Sequence, residues 1–433
     1  MGHNHDPSFI VNAVAHDESS PISSGSSGKN WWRGRYDVSN KTHPHLGAIH
    51  PDDKSLGWIV DPSVERLRPV QHHPGQPFVC PKGASNGGSA EVSGIEGKGG
   101  NKLLLKVQGG LDKAKQELLT NEKDIQHSQR PKVLCMIYAM SRADGGHGNL
   151  AAIADTWGRR CDGFIGFSNL TDHSVGAIDF YHDGPETIYN MWQKVRAIWT
   201  YAFDHYLDEF EYFYIAGDDV YMAVENLRVY VEGPEVKRLQ EGFIDSISSN
   251  PKYLKRAKQT SKLRPRPLMF STPMMWERVP VIAGGAGYML NQAALQVWGE
   301  KGADHFETDR FDSKEDFLFG KFLADQNIFM SDTHDDTGAV RFSGGAEFGY
   351  HYKGVSPVHP QRLKKLFGWE IKKGMDSRSE QQISFHLKDD RPHLESHFGN
   401  NTIAQLMIRY HAILNHWCDE SGEAMVEKDA AKE

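Results

Sequence analysis

The regular pattern begins at Val133-Leu134-Cys135-Met136-Ile137-Tyr138, an apolar run too short for a helix. The polar, glycine-rich Ser141-Arg142-Ala143-Asp144-Gly145-Gly146 follows it, which predicts a first strand and the loop at its carboxyl end. Residues 150–157 suit a helix, and Gly163-Phe164-Ile165-Gly166-Phe167 a second strand. From Glu186 onward, Ile188, Met191, Trp192, Val195, Trp199, Ala202, Phe203 and Tyr206 recur at steps of three and four. That spacing predicts one long amphipathic helix whose Trp and Tyr stripe is a core face. Tyr212-Phe213-Tyr214-Ile215-Ala216-Gly217 is a further buried strand that ends abruptly in Asp218 and Asp219, with a helix after it through Glu225-Asn226-Leu227. Strand and helix units in this order predict a mostly parallel α/β sheet covered on both faces.

Residues 233–267 are basic and broken by prolines, the pattern of a surface excursion. Next, Val281-Ile282-Ala283-Gly284-Gly285-Ala286-Gly287-Tyr288-Met289-Leu290 precedes a helix over 291–300. Its three glycines allow backbone to approach a ligand or a neighbouring strand closely, although a Gly cluster alone is more often a tight packing point. Lys314-Glu315-Asp316-Phe317 opens another helix with acids in its first turn, which by itself is ordinary helix-terminal charge. Upstream, residues 19–27 and 83–100 are rich in Ser and Gly, while 111–125 carry Leu and Lys/Glu at helical spacing, as an isolated helix leading into the fold would. The resulting organisation is a flexible stem or linker over 1–128, one α/β domain over 129–418 and a polar tail over 419–433.

Composition narrows the function classes. With 433 residues, 39% of them hydrophobic, the chain can bury a substantial core. A formal net charge of -8 without a long basic run disfavours a nucleic-acid partner. No apolar run reaches membrane-spanning length and the first residues lack the signature of a signal peptide, so the chain reads as soluble. Cys80, Cys135, Cys161 and Cys418 lack CxxC spacing, which leaves disulfides or buried thiols as their roles. Sequons at Asn40, Asn169 and Asn400 would permit glycosylation in a secretory lumen.

The paired acids supply the candidate chemistry. In open α/β sheets ligands sit outside the carboxyl ends of the strands, so Asp218 and Asp219 project where a ligand can reach them. Adjacent carboxylates repel unless something positive lies beside them. A hard divalent cation carrying a diphosphate is the natural candidate, with a solvated Asp-Asp turn as the alternative.

The order of these pieces resembles the inverting β-1,3-glycosyltransferases with a Rossmann-like GT-A fold, and within them the core 1 β-1,3-galactosyltransferases that extend O-linked GalNAc. The matching segments are the first strand, Thr156-Trp157-Gly158-Arg159-Arg160-Cys161, the long helix into Tyr221, Glu225-Asn226-Leu227-Arg228, Gly284-Gly285-Ala286-Gly287-Tyr288, Glu315-Asp316 and Ser384-Phe385-His386, which together span 132–410. The resemblance implies that Asp219 is the last acid of a DxD-type motif, binding Mn²⁺ under the diphosphate of a UDP-sugar, with Asp218 as the middle acid. It implies Asp316 as general base on the acceptor hydroxyl, and Gly284, Gly285, Ala286, Gly287 and Tyr288 as the lining of the donor and acceptor site. His359, in Val358-His359-Pro360-Gln361, matches the histidine that completes the metal shell, with His386 as second candidate. A Cys135–Cys161 disulfide is implied as well.

By the same resemblance the donor is UDP-galactose, the acceptor a glycan or glycoprotein, the new linkage β-1,3, the compartment the Golgi or secretory lumen, and a homodimer is one assembly to expect. Three departures stand out: Gly217 occupies the position of the first acid, which would hold the donor's ribose; residues 341–357 are longer and richer in glycine; and no amino-terminal anchor is visible. Two other readings therefore stay open. One is a fringe-like enzyme using UDP-GlcNAc, since pocket shape rather than the metal-binding acids selects the sugar. The other is a non-catalytic GT-A relative acting as folding helper or glycan binder, which Gly217 favours. Trp276, Tyr288 and Trp369 are candidates to stack on a sugar face, with core packing as the alternative for each.

Overall fold

Both faces of the central strands are apolar, and the structure explains why. In this computed structural model the described residues are 98–122, 130–140, 148–172, 175–245, 247, 250–276, 279–302, 312–343, 364–368, 374–387 and 403–416. His359, Trp369, Cys80, Cys418 and the sequons at Asn40 and Asn400 lie outside them. The chain begins with α1 (Lys98–Glu122), β1 (Val133–Tyr138), α2 (Gly148–Asp155), β2 (Gly163–Ser168), β3 (Ala177–Asp179) and α3 (Met191–Tyr206). It continues through β4 (Tyr212–Gly217), β5 (Val220–Met222), α4 (Val224–Glu232), α5 (Pro234–Gln240), α6 (Pro251–Thr260), β6 (Met269–Phe270), β7 (Pro273–Trp276) and β8 (Val279–Ile282). β9 (Tyr288–Asn291), α7 (Gln292–Lys301), α8 (Glu315–Asp325), β10 (Phe342–Ser343), β11 (Ser384–His386) and α9 (Ile403–Leu414) complete it.

Six strands form the main sheet in the order β3-β2-β1-β4-β9-β6. β1 pairs parallel with β2 and β4, β2 parallel with β3, and β9 alone runs antiparallel to both of its neighbours. Side chains alternate across a strand. Val133, Cys135 and Ile137 of β1, with Tyr212, Tyr214 and Ala216 of β4, face a core that Leu104 of α1, Leu150 of α2, Leu227 of α4 and Leu406 of α9 complete. Leu134, Met136, Phe213 and Ile215 face the opposite core, built with Trp199 of α3, Ala257 of α6, Trp298 of α7 and Phe319 of α8. The result is a mostly parallel α/β fold consistent with a GT-A glycosyltransferase. A small second sheet, β10-β11-β5, stands at the carboxyl edge.

Three segments differ from the sequence reading. The helix expected at 111–125 apart from the fold runs from Lys98 to Glu122 and packs on it, burying Leu104, Val107, Leu111, Ala114 and Leu118. Glycines masked its periodicity; at Gly110 a Cβ would lie 2.1 Å from the Glu380 carbonyl oxygen, so only glycine lets the helix sit this close. The surface excursion at 233–267 contains α5 and α6, whose Val236, Leu239, Tyr253 and Ala257 are buried. The long helix starts at Met191, and Ile188 and Tyr189 in the turn before it are 59% and 76% exposed.

Cys135 of β1 and Cys161 after α2 form a disulfide, as the resemblance implied. Closing a loop of sequence separation 26 limits the unfolded ensemble. The chain-entropy estimate for that loop is about 3–4 kcal/mol. Replacing both cysteines by Ala is expected to lower stability by about that amount, read from the denaturant midpoint. A midpoint equal to wild type under oxidising conditions would show that the bridge contributes nothing.

Candidate active site

The site starts where β4 stops. Asp218 and Asp219 form the turn from β4 into β5, a three-residue strand. So short a strand needs outside support. The Trp157 indole N–H donates to the Val220 carbonyl at 3.1 Å, and β11 pairs with β5 in the register Ser384–Met222, Phe385–Tyr221, His386–Val220. The Leu387 amide then donates to the Asp219 carbonyl at 2.9 Å. This pairing delivers His386 Nε2 to within 3.2 Å of Asp219 Oδ2.

Two segments that carried the resemblance are the frame of this arrangement. Arg160 pairs with Glu225, and Arg228 donates to the Arg160 carbonyl at 2.9 Å and to Asp162 Oδ1 at 2.8 Å. Asn226 Nδ2 donates to the Gln382 carbonyl at 2.8 Å, four residues ahead of His386. The turn Gly158–Arg160 after α2, Asp162, helix α4 and the approach to β11 are thus tied together.

Asp316 comes from the first turn of α8. Its Oδ2 accepts from the Gly284 amide at 2.8 Å and its Oδ1 from the Phe317 amide at 2.7 Å. The turn Gly284–Ala286 wedges between the two halves of the site. A Cβ on Gly284 would lie 2.9 Å from both Asp316 Cβ and Glu315 Oε1, and a Cβ on Gly285 would lie 2.7 Å from His386 Nδ1. Side chains at either position would force the acids or the histidine aside, so the two glycines are needed for close approach. Asp219 and Asp316 therefore flank one turn. Tyr138, at the end of β1, feels the charges of Asp219, Glu315 and Asp316 together.

The rest of the glycine motif supports this turn from behind. Gly287 has φ +70° and a Cβ there would lie 2.1 Å from the Tyr214 oxygen, while the Tyr214 hydroxyl donates to the Ala286 carbonyl at 2.8 Å. Tyr288 is fully buried and packs on Trp199 and Phe319, so its ring belongs to the core. His359 lies outside the described residues, and the histidine that reaches Asp219 is His386. Among the described residues no three or more His, Cys, Asp or Glu side chains converge in a metal-holding group.

The electrostatics contain two features that sequence reasoning did not single out. Burial, followed by the Asp219 charge, pushes Asp218 up to about 6, while a hydrogen bond from Asn149 and the charge of Lys194 oppose the rise. Lys194 is 2% exposed. Its ammonium donates to the Ala139 carbonyl at 2.6 Å and pairs with Glu186, whose other oxygen meets His182 Nε2 at 2.6 Å. Part of the positive charge that the acid pair requires thus comes from the chain itself. The signal was present: Lys194 lies three residues after Met191 and four before Ile198, on the apolar stripe of α3.

The second feature is Glu315, beside Asp316 and only 6% exposed. Burial, with the neighbouring Asp316 charge, pushes its carboxyl up to about 8, and the Tyr138 hydrogen bond pulls against that rise. Asp316 is also raised by burial, held back by the Gly284 and Phe317 amides. Because the folded pKa of Glu315 lies above its ordinary 4.5, its contribution to stability is full below about 4.5 and is lost as pH rises through about 8. Glu315→Gln removes the titration. Its stability relative to wild type is expected to rise between about pH 5 and pH 8.5, by about 2–4 °C in Tm for each kcal/mol recovered. A difference that stays flat with pH would mean that Glu315 is ionised throughout.

Comparison with known proteins places this geometry in context. No family model matches the chain. It is 26% identical over 213 residues, 48% of this chain, to the glycoprotein-N-acetylgalactosamine 3-beta-galactosyltransferase 1 of Xenopus laevis. The aligned part is 49% of that protein, so the chain spans about half of that relative's length. Among the described residues no helix is long and apolar enough to cross a membrane. The likeness across about half of the chain, joined to the α/β fold, relates this protein to a glycosyltransferase family.

Proposed function

We propose that the chain is a metal-dependent inverting glycosyltransferase that moves galactose from UDP-galactose to a hydroxyl of an O-glycan acceptor such as O-linked GalNAc, forming a β-1,3 linkage. The observation that carries the reading is the convergence of the Asp219–His386 pair and the Asp316 carboxylate on the single turn Gly284–Ala286. The donor set fits Mn²⁺, because a carboxylate oxygen and an imidazole nitrogen stand 3.2 Å apart on side chains that keep 25% and 14% of their exposure. Asp219 and His386 would hold the ion, His386 in the role the resemblance gave to His359. When bound, the ion supplies Lewis-acid stabilisation of the charge gathering on the departing diphosphate.

The residues of the chain do the remainder. In an inverting transfer the acceptor oxygen bonds to the anomeric carbon as the bond from that carbon to the diphosphate oxygen breaks, and the hydroxyl proton passes to a carboxylate. Asp316 takes that proton, its orientation fixed by the Gly284 amide. Burial raises both Glu315 and Asp316, and the Gly284 and Phe317 amides that reach Asp316 favour its ionised form. Single displacement needs no covalent enzyme intermediate, in keeping with the absence of a recognisable activated nucleophile in the sequence. The Cys135–Cys161 bridge supports a site of action in the oxidising secretory pathway.

A specific observation favours the non-catalytic reading as runner-up. A Cβ at Gly217 would lie 2.9 Å from Asp219 Oδ1 and 3.3 Å from the Tyr138 ring, so the position expected to hold the ribose is closed by neighbours. Use of UDP-GlcNAc in place of UDP-galactose is the third reading, since the fold serves both sugars.

With UDP and Mn²⁺ together, Tm is expected to rise, because a ligand that binds only the folded state stabilises it by about 2.7 kcal/mol at 100 times its Kd. Asp219→Ala is expected to abolish the metal-dependent part of that rise; an undiminished rise would mean the metal sits elsewhere. No rise for wild type at millimolar nucleotide would favour the non-catalytic reading. Asp316→Asn is expected to bind nucleotide normally and to lose transfer by about 100-fold or more. For wild type, kcat/KM should fall as pH drops through a value above the ordinary carboxylate range, since burial raises the pKa of Asp316 and only its ionised form accepts a proton. Normal turnover in Asp316→Asn would remove the proposed base.

A further inference from the structure

Along β1 every residue is buried except the last, Tyr138, which keeps partial exposure. It stands at the carboxyl end of the strand, where open α/β sheets present their ligands. The register of β1 on β4 sets Tyr138 directly beside Gly217, so a side chain at 217 would project from the same face. Glycine leaves that space to the ring. A Cβ on Gly217 would lie 3.3 Å from Tyr138 Cε2, 3.5 Å from its Cζ and 2.9 Å from Asp219 Oδ1.

The far end of the side chain is anchored on the other half of the site. The Tyr138 hydroxyl donates to Glu315, the neighbour of Asp316 in the first turn of α8. That hydroxyl is deeply buried, and burial before any other cause holds its pKa well above the ordinary value. What stays accessible on Tyr138 is therefore not its polar end. The side chain thus reaches from Gly217 and Asp219 on one side to Glu315 and Asp316 on the other.

In a single displacement the anomeric carbon lies between the oxygen that leaves with the diphosphate and the oxygen that attacks. It lies, on the reading above, between the Asp219–His386 pair and Asp316, which is the span that Tyr138 bridges. A hexose carries an apolar C–H face, and a flat ring complements it without adding charge to a site already rich in carboxylates. Tyr288, the aromatic residue of the glycine motif, is fully buried and cannot meet a ligand.

We propose that Tyr138 is the residue on which the transferred hexose rests, its ring packing on the apolar face of the sugar and its hydroxyl, tied to Glu315, fixing the tilt of that ring. The inference rests on the transfer reading and assigns it a donor-sugar contact that none of its metal-side or base residues supplies. It also gives Gly217 a reason: a side chain there would displace the ring.

The test compares the affinities of the whole chain for UDP and for UDP-hexose, each with Mn²⁺, by titration calorimetry. UDP-galactose and UDP-N-acetylglucosamine are run in parallel, because the contact needs a hexose ring and not a particular substituent. Tyr138→Leu is expected to weaken binding of the preferred UDP-hexose about 10-fold, as loss of an aromatic face should, while leaving UDP unchanged. Tyr138→Met, a flexible apolar side chain without a flat face, is expected to do the same and serves where the leucine variant folds poorly. Tyr138→Phe keeps the ring and should retain wild-type affinity for both ligands. A purely structural role would move UDP and UDP-hexose together, so equal losses for both, or no loss for either, would overturn the proposal and leave the transfer reading standing. A phenylalanine variant as impaired as the leucine one would also overturn it, since the hydroxyl and not the ring would then be the contact. No binding of UDP by wild type would overturn the transfer reading and this inference with it.

Discussion

The pairing of β5 with β11 is the interaction on which the candidate site depends. β5 is only three residues long, and no three-residue strand holds its own position. Its place is set by a ladder to a segment more than 160 residues downstream, by the Trp157 indole and by the ion pairs of Arg160 and Arg228. The register matters as much as the contact. A slip of one residue would turn His386 to the opposite face and leave Asp219 without an imidazole beside it. Arg160, Glu225 and Arg228 therefore bear on the candidate site through geometry, because what they help to fix is the register.

A second constraint is charge. Four acids, Asp218, Asp219, Glu315 and Asp316, lie partly or fully buried near one another, and burying carboxylates is costly unless they are paired, hydrogen-bonded or protonated. The chain uses each of these solutions in a different place. Asp218 is balanced against Lys194, Asp316 is held by two backbone amides, and Glu315 keeps its proton. Asp219 instead faces His386. The two amides on Asp316 favour its charged form, and this is the physical content behind proposing it as the proton acceptor.

Much of the scaffold was legible because it is local. Continuous apolar runs identified β1, β2 and β4, and steps of three and four identified α3. The glycine-rich run was legible as a close approach, but its partition into β8, a turn and an antiparallel β9 was not, since direction is decided by pairing with β4 and leaves no local trace. The same limit explains His386. Its proximity to Asp219, 167 residues away in sequence, follows from strand pairing that no periodicity reveals. Tyr288 illustrates the opposite case: of the two roles its ring left open, sugar platform or core packing, β9 decides for the core beside Trp199. Lys194 was readable in principle, because a lysine on an apolar stripe must find a partner.

Gly217 is where the fold and the proposed chemistry pull against each other. An acid there would meet Asp219 Oδ1 at 2.9 Å and the Tyr138 ring at 3.3 Å, and Tyr138 is in turn bonded to Glu315. Restoring a carboxylate would thus disturb both halves of the site, one through Asp219 and the other through Tyr138. It would also add another negative charge to a site whose internal cation, Lys194, is already shared with Glu186. The glycine is consistent with a site that has balanced its charge in another way, with Tyr138 filling the space and Lys194 supplying the cation. Under that view the loss of the first acid weakens the grip on the ribose without removing the groups proposed to act on the diphosphate and on the acceptor hydroxyl. Those groups, Asp219, His386 and Asp316, are held by backbone hydrogen bonds and strand register that do not involve residue 217.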